Sequence, residues 1–196
     1  MNTVCNHRFR TEDSWKGIIM KVGTNLMYDP KAFNHTIAKV IVHDQWDTVE
    51  QANDIALVRL KLKLTFLTKG LQYTINSVCL PKKDFEVAVS TTVTLSGFGQ
   101  LGEHESKPDY LQKLDMPIFD HETCIKNYDE HVKLNDMKLC AGGIGGHDSC
   151  MGDSGGPLIY NIEGRMHVIG VVSFGLPCAQ KDYPGVYTKV SKYYDW

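Results

Sequence analysis

No apolar run in this chain approaches the ~18 residues that a membrane-spanning helix requires, so a helical membrane protein is excluded and no membrane partner is expected. Neither sign of charge is in excess: 21 Lys and Arg stand against 23 Asp and Glu, a net charge of −2. That balance offers no basic stripe for a phosphate backbone, so no nucleic acid is expected either. The polar start, Met1 to Arg10, has no apolar segment of the kind a secretory signal carries. Internal repeats and low-complexity tracts are missing, and no cluster of oxygen ligands stands at the spacing a hard cation wants, so no metal or other cofactor is expected. What is present is a chain of 196 residues, 42% hydrophobic, long enough to bury a core as one domain. Six cysteines and the sequon Asn34-His35-Thr36, a candidate glycosylation site at Asn34, fit an oxidising, secretory setting. Disulfide chemistry without an export signal leads to the expectation of further sequence upstream.

The apolar residues come in short runs separated by turn signals. Ile18 to Val22, Thr36 to His43 and Ile55 to Leu60 form one set. Thr91 to Ser96, Leu111 to Phe119, Gly156 to Tyr160, Met166 to Phe174 and Gly185 to Val190 form a second. This is the rhythm of an all-β barrel or sandwich, with one short helix expected over His121 to Tyr128. Residues 66 to 90, which contain Asn76-Ser77-Val78-Cys79-Leu80-Pro81, read as a connector between the two sets.

One stretch carries the chemistry: Gly152-Asp153-Ser154-Gly155-Gly156-Pro157-Leu158, with Asp148 and Cys150 just before it. A serine between glycines suits a nucleophile on a tight, exposed turn. The seven-residue string resembles the active-site serine motif of the chymotrypsin/trypsin family of serine endopeptidases, and the likeness extends over roughly residues 18 to 196. The family resemblance implies two antiparallel Greek-key β-barrels with a cleft between them, the first barrel being incomplete here. The resulting layout is a partial first barrel over 1–65, the connector over 66–90 and the second barrel over 91–196.

The resemblance also assigns roles. Ser154 takes the place of the nucleophile, and Asp54, in Asn53-Asp54-Ile55-Ala56-Leu57, that of the carboxylate that orients the base. The amides of Gly152 and Ser154 correspond to the oxyanion hole. Asp153 corresponds to the zymogen-switch carboxylate, which pairs with a new amino terminus after activation cleavage; no such start stands in this chain, leaving Asp153 without that partner. Asp148 falls at the base of the specificity pocket and implies cleavage after Arg or Lys. Ser149 lies beside it, and Ser173, Phe174, Gly175 and Gly185 form the walls, Phe174 replacing a more usual tryptophan. Of the fifteen pairings six cysteines allow, the family picks out Cys124–Cys140 and Cys150–Cys178. A further family disulfide is lost at both ends, Val93 and Tyr160 occupying its positions, which implies a repacked second barrel. Cys79 matches a connector cysteine that bonds a propiece in multi-chain relatives. Cys5 matches the cysteine after the catalytic histidine, and a Cys5–Cys79 bond is the alternative.

The family's general base is a histidine in a Thr-Ala-Ala-His-Cys-like string. Here Val4 precedes Cys5, and His7 lacks that context, as do His35, His43, His104, His121, His131, His147 and His167. The expectation is therefore a secreted, trypsin-like serine endopeptidase whose chain as given lacks the base and is inactive. Its partners would be proteins or peptides with Arg or Lys at the cleaved bond, and protein inhibitors. The alternative is a catalytically silent homologue that works by binding proteins.

Overall fold

The computed structural model describes residues 12–66, 75–146, 148–176 and 178–196. Val4, Cys5, His7 and His147 lie outside the described residues, as does part of the connector. A short helix α1 (Glu12–Trp15) precedes strands β1 (Ile19–Val22), β2 (Phe33–Val42) and β3 (Ala56–Leu60). After the connector come β4 (Thr92–Gly97), β5 (Gln112–Pro117), helix α2 (His121–Tyr128), β6 (Lys138–Ala141), β7 (Pro157–Ile162), β8 (Arg165–Phe174) and β9 (Gly185–Lys189), and then a 3-10 turn, Val190–Tyr193.

All strand pairs are antiparallel and fall into two sheets, β1-β2-β3 and β5-β4-β7-β8-β9-β6. The larger sheet curls until its ends meet. Ile118, just past β5, bridges Ala141 of β6, with Phe119 N–H donating to Cys140 O (2.9 Å) and Gly142 N–H to Pro117 O (2.9 Å). Closure removes the sheet's open edges and encloses a core of Val93, Leu95, Met116, Ile118, Leu158, Ile169, Val172 and Tyr187. Val93 is 1% exposed within that core and Tyr160 packs against it, so side-chain packing fills both positions of the lost disulfide.

Helix α2 starts where Asp120 accepts from the Thr123 N–H (2.9 Å), an N-cap that satisfies an otherwise orphaned donor. Its inner face carries Cys124 and Tyr128 into a second cluster with Val132, Cys140, Phe174 and Val186. The strand reading of the sequence misses only β6 in this half. Four residues that open on a lysine give too little alternation to see.

The smaller sheet is arranged differently. Ile37 is the one buried apolar side chain of β1, β2 and β3 among the described residues, while Ile19, Phe33 and Leu57 are half exposed. Among the described residues several threads tie this sheet to the barrel. The loop after β1 bridges the segment before β5 at Leu26 and Tyr110, and the start of β3 is held by β8 and β9, as described below. The connector is pinned to β8 by reciprocal bonds between Cys79 and the Met166–Val168 stretch.

Candidate active site

The Ser154 turn hangs on β8. Gly155 N–H donates to Val172 O and Val172 N–H to Gly156 O, both at 2.9 Å. The next residue, Ser173, falls where the β8–β9 register slips between Val172 and Phe174. Such a bulge re-aims a side chain, and Ser173 Oγ donates to Asp54 Oδ2 at 2.7 Å. One strand thus serves both sides of the site: Val172 holds the serine turn and Ser173 the carboxylate.

Ser154 itself is half-buried, and among the described residues its hydroxyl has no hydrogen-bond partner. The amides of Gly152 and Ser154 donate to no protein acceptor among the described residues, so both remain available for a developing oxyanion. Gly152 has φ +107°, a region that side chains rarely occupy, and a Cβ there would lie 2.9 Å from Cε and Nζ of Lys107.

Asp153 is 9% exposed. Its Oδ1 accepts from Gly99 N–H (2.8 Å) and its Oδ2 from Cys150 N–H (3.1 Å). The sequence reading leaves this carboxylate without its expected cationic partner; two backbone amides nonetheless satisfy it.

Asp54 is 2% exposed. Burial raises its pKa, while the Ser173 hydrogen bond and the charge of Lys138 oppose that rise. Its backbone carbonyl accepts from Thr188 Oγ1 at 2.8 Å, which fixes the start of β3 against β9. His43 lies close by in the β2–β3 ladder, but its ring packs on Tyr193 and Trp196, with centroids 5.5 and 5.0 Å away.

Asp148 sits beside Ser149, whose N–H donates to its Oδ1 at 2.6 Å. A Cβ on Gly185 would stand 2.8 Å from the same Oδ1 and 3.0 Å from Ser149 Oγ, so only glycine fits against these two side chains. Burial outweighs the hydrogen bonds from Ser149 and Gly185 and pushes the Asp148 pKa up to about 7. A nearby cation would favour the ionised form of so poorly solvated a carboxylate. Ser173 and Phe174 end β8, and a Cβ on Gly175 would meet nothing within 4 Å, so the wall opens there.

Disulfides link Cys124 with Cys140 and Cys150 with Cys178, the latter joining the segment just after Asp148 to the loop between β8 and β9. Cys79 carries a free thiol. Asn34 is exposed on β2. Among the described residues no group of His, Cys, Asp and Glu is placed to hold a metal ion, and no helix is long and apolar enough to cross a membrane.

Two residues the sequence reading passed over belong to this neighbourhood. Lys107 leans on Gly152, and Lys138 is buried behind Ser173. Lysines in a loop and in a short strand read as solvated surface; nothing local marks them otherwise.

Residues 6–196 match the family model described as Trypsin. The chain is 39% identical over 171 residues to tissue-type plasminogen activator of Homo sapiens, covering 82% of this chain and 30% of that protein. It is 37% identical over 191 residues to the clotting factor G beta subunit of Tachypleus tridentatus, covering 91% and 60%. Against trypsin-1 of Astacus astacus it is 38% identical over 162 residues, covering 82% and 65%. The chain therefore spans between about a third and two-thirds of the length of these relatives. With the family match running through the barrel, the serine turn and the Asp54 strand alike, the chain belongs to the trypsin family of serine proteases.

Proposed function

We propose that this site is that of an endopeptidase cleaving after Arg or Lys through an acyl-enzyme on Ser154. The observation that carries this reading is Asp148: a carboxylate short of solvation, packed against Ser149 and Gly185, its pKa pushed up to about 7. An entering guanidinium or ammonium supplies the missing counter-charge and pulls that pKa back down. Ser173 to Gly175 line the path of the substrate toward Ser154. Attack by Ser154 Oγ on the scissile carbonyl carbon forms a tetrahedral oxyanion that the Gly152 and Ser154 amides meet. Asp54 orients the base that takes the serine proton.

The base is the part the chain does not supply in family form, since Val4 stands before Cys5. We therefore expect this 196-residue chain to bind Arg-like ligands and to hydrolyse them negligibly, because loss of the base in a comparable triad costs about a millionfold in kcat. The second reading, a silent homologue that binds proteins or inhibitors through the same pocket, is favoured by that same substitution. Secretion and a propiece bonded through the free Cys79 belong to the proposal, supported by the two disulfides and the partly buried free thiol of Cys79.

Two assays on the purified chain test this. Fluorescence titration with p-aminobenzamidine should show saturable binding that Asp148→Ala weakens at least a hundredfold; no difference between the two proteins would overturn the pocket assignment. Turnover of a peptidyl-arginine anilide should be at background. Robust turnover that disappears in Ser154→Ala would show that a base is present after all.

A further inference from the structure

Lys138 is 2% exposed, at the first position of β6, directly across the ladder from Thr188. Its ammonium donates to Ser173 Oγ at 2.8 Å and to Thr188 Oγ1 at 3.2 Å, and lies 5.6 Å from the centre of the Phe174 ring. Both hydroxyls pass the connection on. Ser173 Oγ donates to the Asp54 carboxylate (2.7 Å) and Thr188 Oγ1 to the Asp54 carbonyl (2.8 Å). Lysine, hydroxyls and aspartate thus form one closed polar cluster in the seam between β3, β6, β8 and β9.

We propose that Lys138 is a positioning residue of this active site: acting through Ser173 and Thr188, it fixes the Asp54 carboxylate from behind and keeps it ionised. The inference rests on the reading of Asp54 as the orienting carboxylate. Stability alone does not account for a lysine here. An apolar side chain of similar length fills such a position with no charge to desolvate, and buried ion pairs are often replaced by apolar residues at no loss. What the lysine supplies is a positive charge on the side of Asp54 that a substrate does not reach. Each member of the pair opposes the effect of burial on the other: burial lowers the pKa of Lys138 to about 8 and raises that of Asp54, and the mutual charge works against both shifts. Other ionisable groups face the cluster at its margins. Tyr193, from the 3-10 turn, donates to Asn53 Oδ1 beside Asp54. Glu86, His121 and Lys189 share with Lys138 the lining of a cavity of about 240 Å³ under the connector, which reaches neither Ser154 nor Asp148. The phenol of Tyr193 is held neutral by burial, and Glu86 and Lys189 pair with each other; among the described residues Lys138 is a cation whose charge acts on Asp54.

The test is a carboxyl-carbon NMR titration of the aspartates in the whole chain, with Asp54 assigned by its loss in Asp54→Asn. In Lys138→Met the Asp54 midpoint should rise at least one pH unit, a tenfold weaker acid, and Lys138→Arg should restore most of the difference. An unchanged midpoint in Lys138→Met, or an equal rise in Lys138→Arg, would overturn the proposal. If Lys138→Met does not fold, the Lys138 side-chain carbon is titrated in Asp54→Asn, where its midpoint should fall by a comparable amount; an unmoved midpoint there has the same force. None of these readouts requires turnover, so a failure of the coupling is separable from a failure of the p-aminobenzamidine titration, which would sink the protease reading alone.

Discussion

The two sheets are built from similar sequence and end in opposite physical situations. Strands β2 and β8 are both ten residues long and rich in Val and Ile, yet β8 runs into a row of buried residues, Ile169, Gly170, Val172, Ser173 and Phe174, while β2 buries Ile37 alone. The difference is closure. A six-stranded sheet that meets its own edge has an inside, and every second residue of each strand points into it. Three strands form a ribbon whose faces both see solvent over most of their length. The candidate site residues follow this division: Ser154, Asp148, Asp153 and the Gly152 amide belong to the barrel, while Asp54 leads into the ribbon's β3 and is held by bonds that the barrel donates.

The sharpest way to break this comparison is to remove matched leucines. Leu158 is fully buried in the barrel and Leu57 is half exposed on β3. Leu158→Ala should cost about 2–5 kcal/mol in urea denaturation, and Leu57→Ala should stay within about 0.5 kcal/mol. Equal costs would mean that the ribbon is covered in solution. Amide hydrogen exchange sharpens the same point at the level of the backbone. Amides of β4, β7 and β8 should exchange only through global unfolding, and those of β1 through local opening at rates at least tenfold faster.

Carboxylates in the two regions should respond to pH with opposite sign. Asp148 has a folded pKa of about 7 against 3.8, so its contribution to stability is present below pH 3.8 and is lost as pH rises through 7. Asp29, in the β1–β2 loop, has its pKa lowered by the Thr24 hydroxyl and the Lys31 amide. Its contribution is present above 3.8 and is lost as pH falls through its folded value. Asp148→Asn should therefore flatten the decline of stability between pH 4 and 7, and Asp29→Asn should flatten only the acid limb, by a smaller amount. The same titration governs the pocket: affinity for benzamidine should fall about tenfold per pH unit below 7 as Asp148 takes up its proton.

Much of this was legible before any coordinates. Alternating apolar residues placed eight of the nine strands, because a strand with one buried face must alternate. The one short helix expected over His121 to Tyr128 is α2. The serine string and the Asn-Asp-Ile-Ala-Leu context singled out Ser154 and Asp54 through likeness to a family, since no local rule links an orienting carboxylate to a serine a hundred residues away. What stayed hidden is what depends on register and closure. Lys138 appears in sequence as one more charged residue, and only pairing with Thr188 across β6 and β9 turns its side chain inward toward Ser173 and Asp54.

The sequence by itself determined the family and all the described strands but β6, and it singled out the Ser154 turn and Asp148 as site candidates, because these rest on local periodicity and on short strings of fixed chemistry. Tertiary structure alone decided that one sheet closes and the other does not, that Asp153 is satisfied by the Gly99 and Cys150 amides, and that a buried lysine stands behind Asp54. Each of these depends on which residues, distant in the chain, meet at hydrogen-bond distance once the barrel has shut water out.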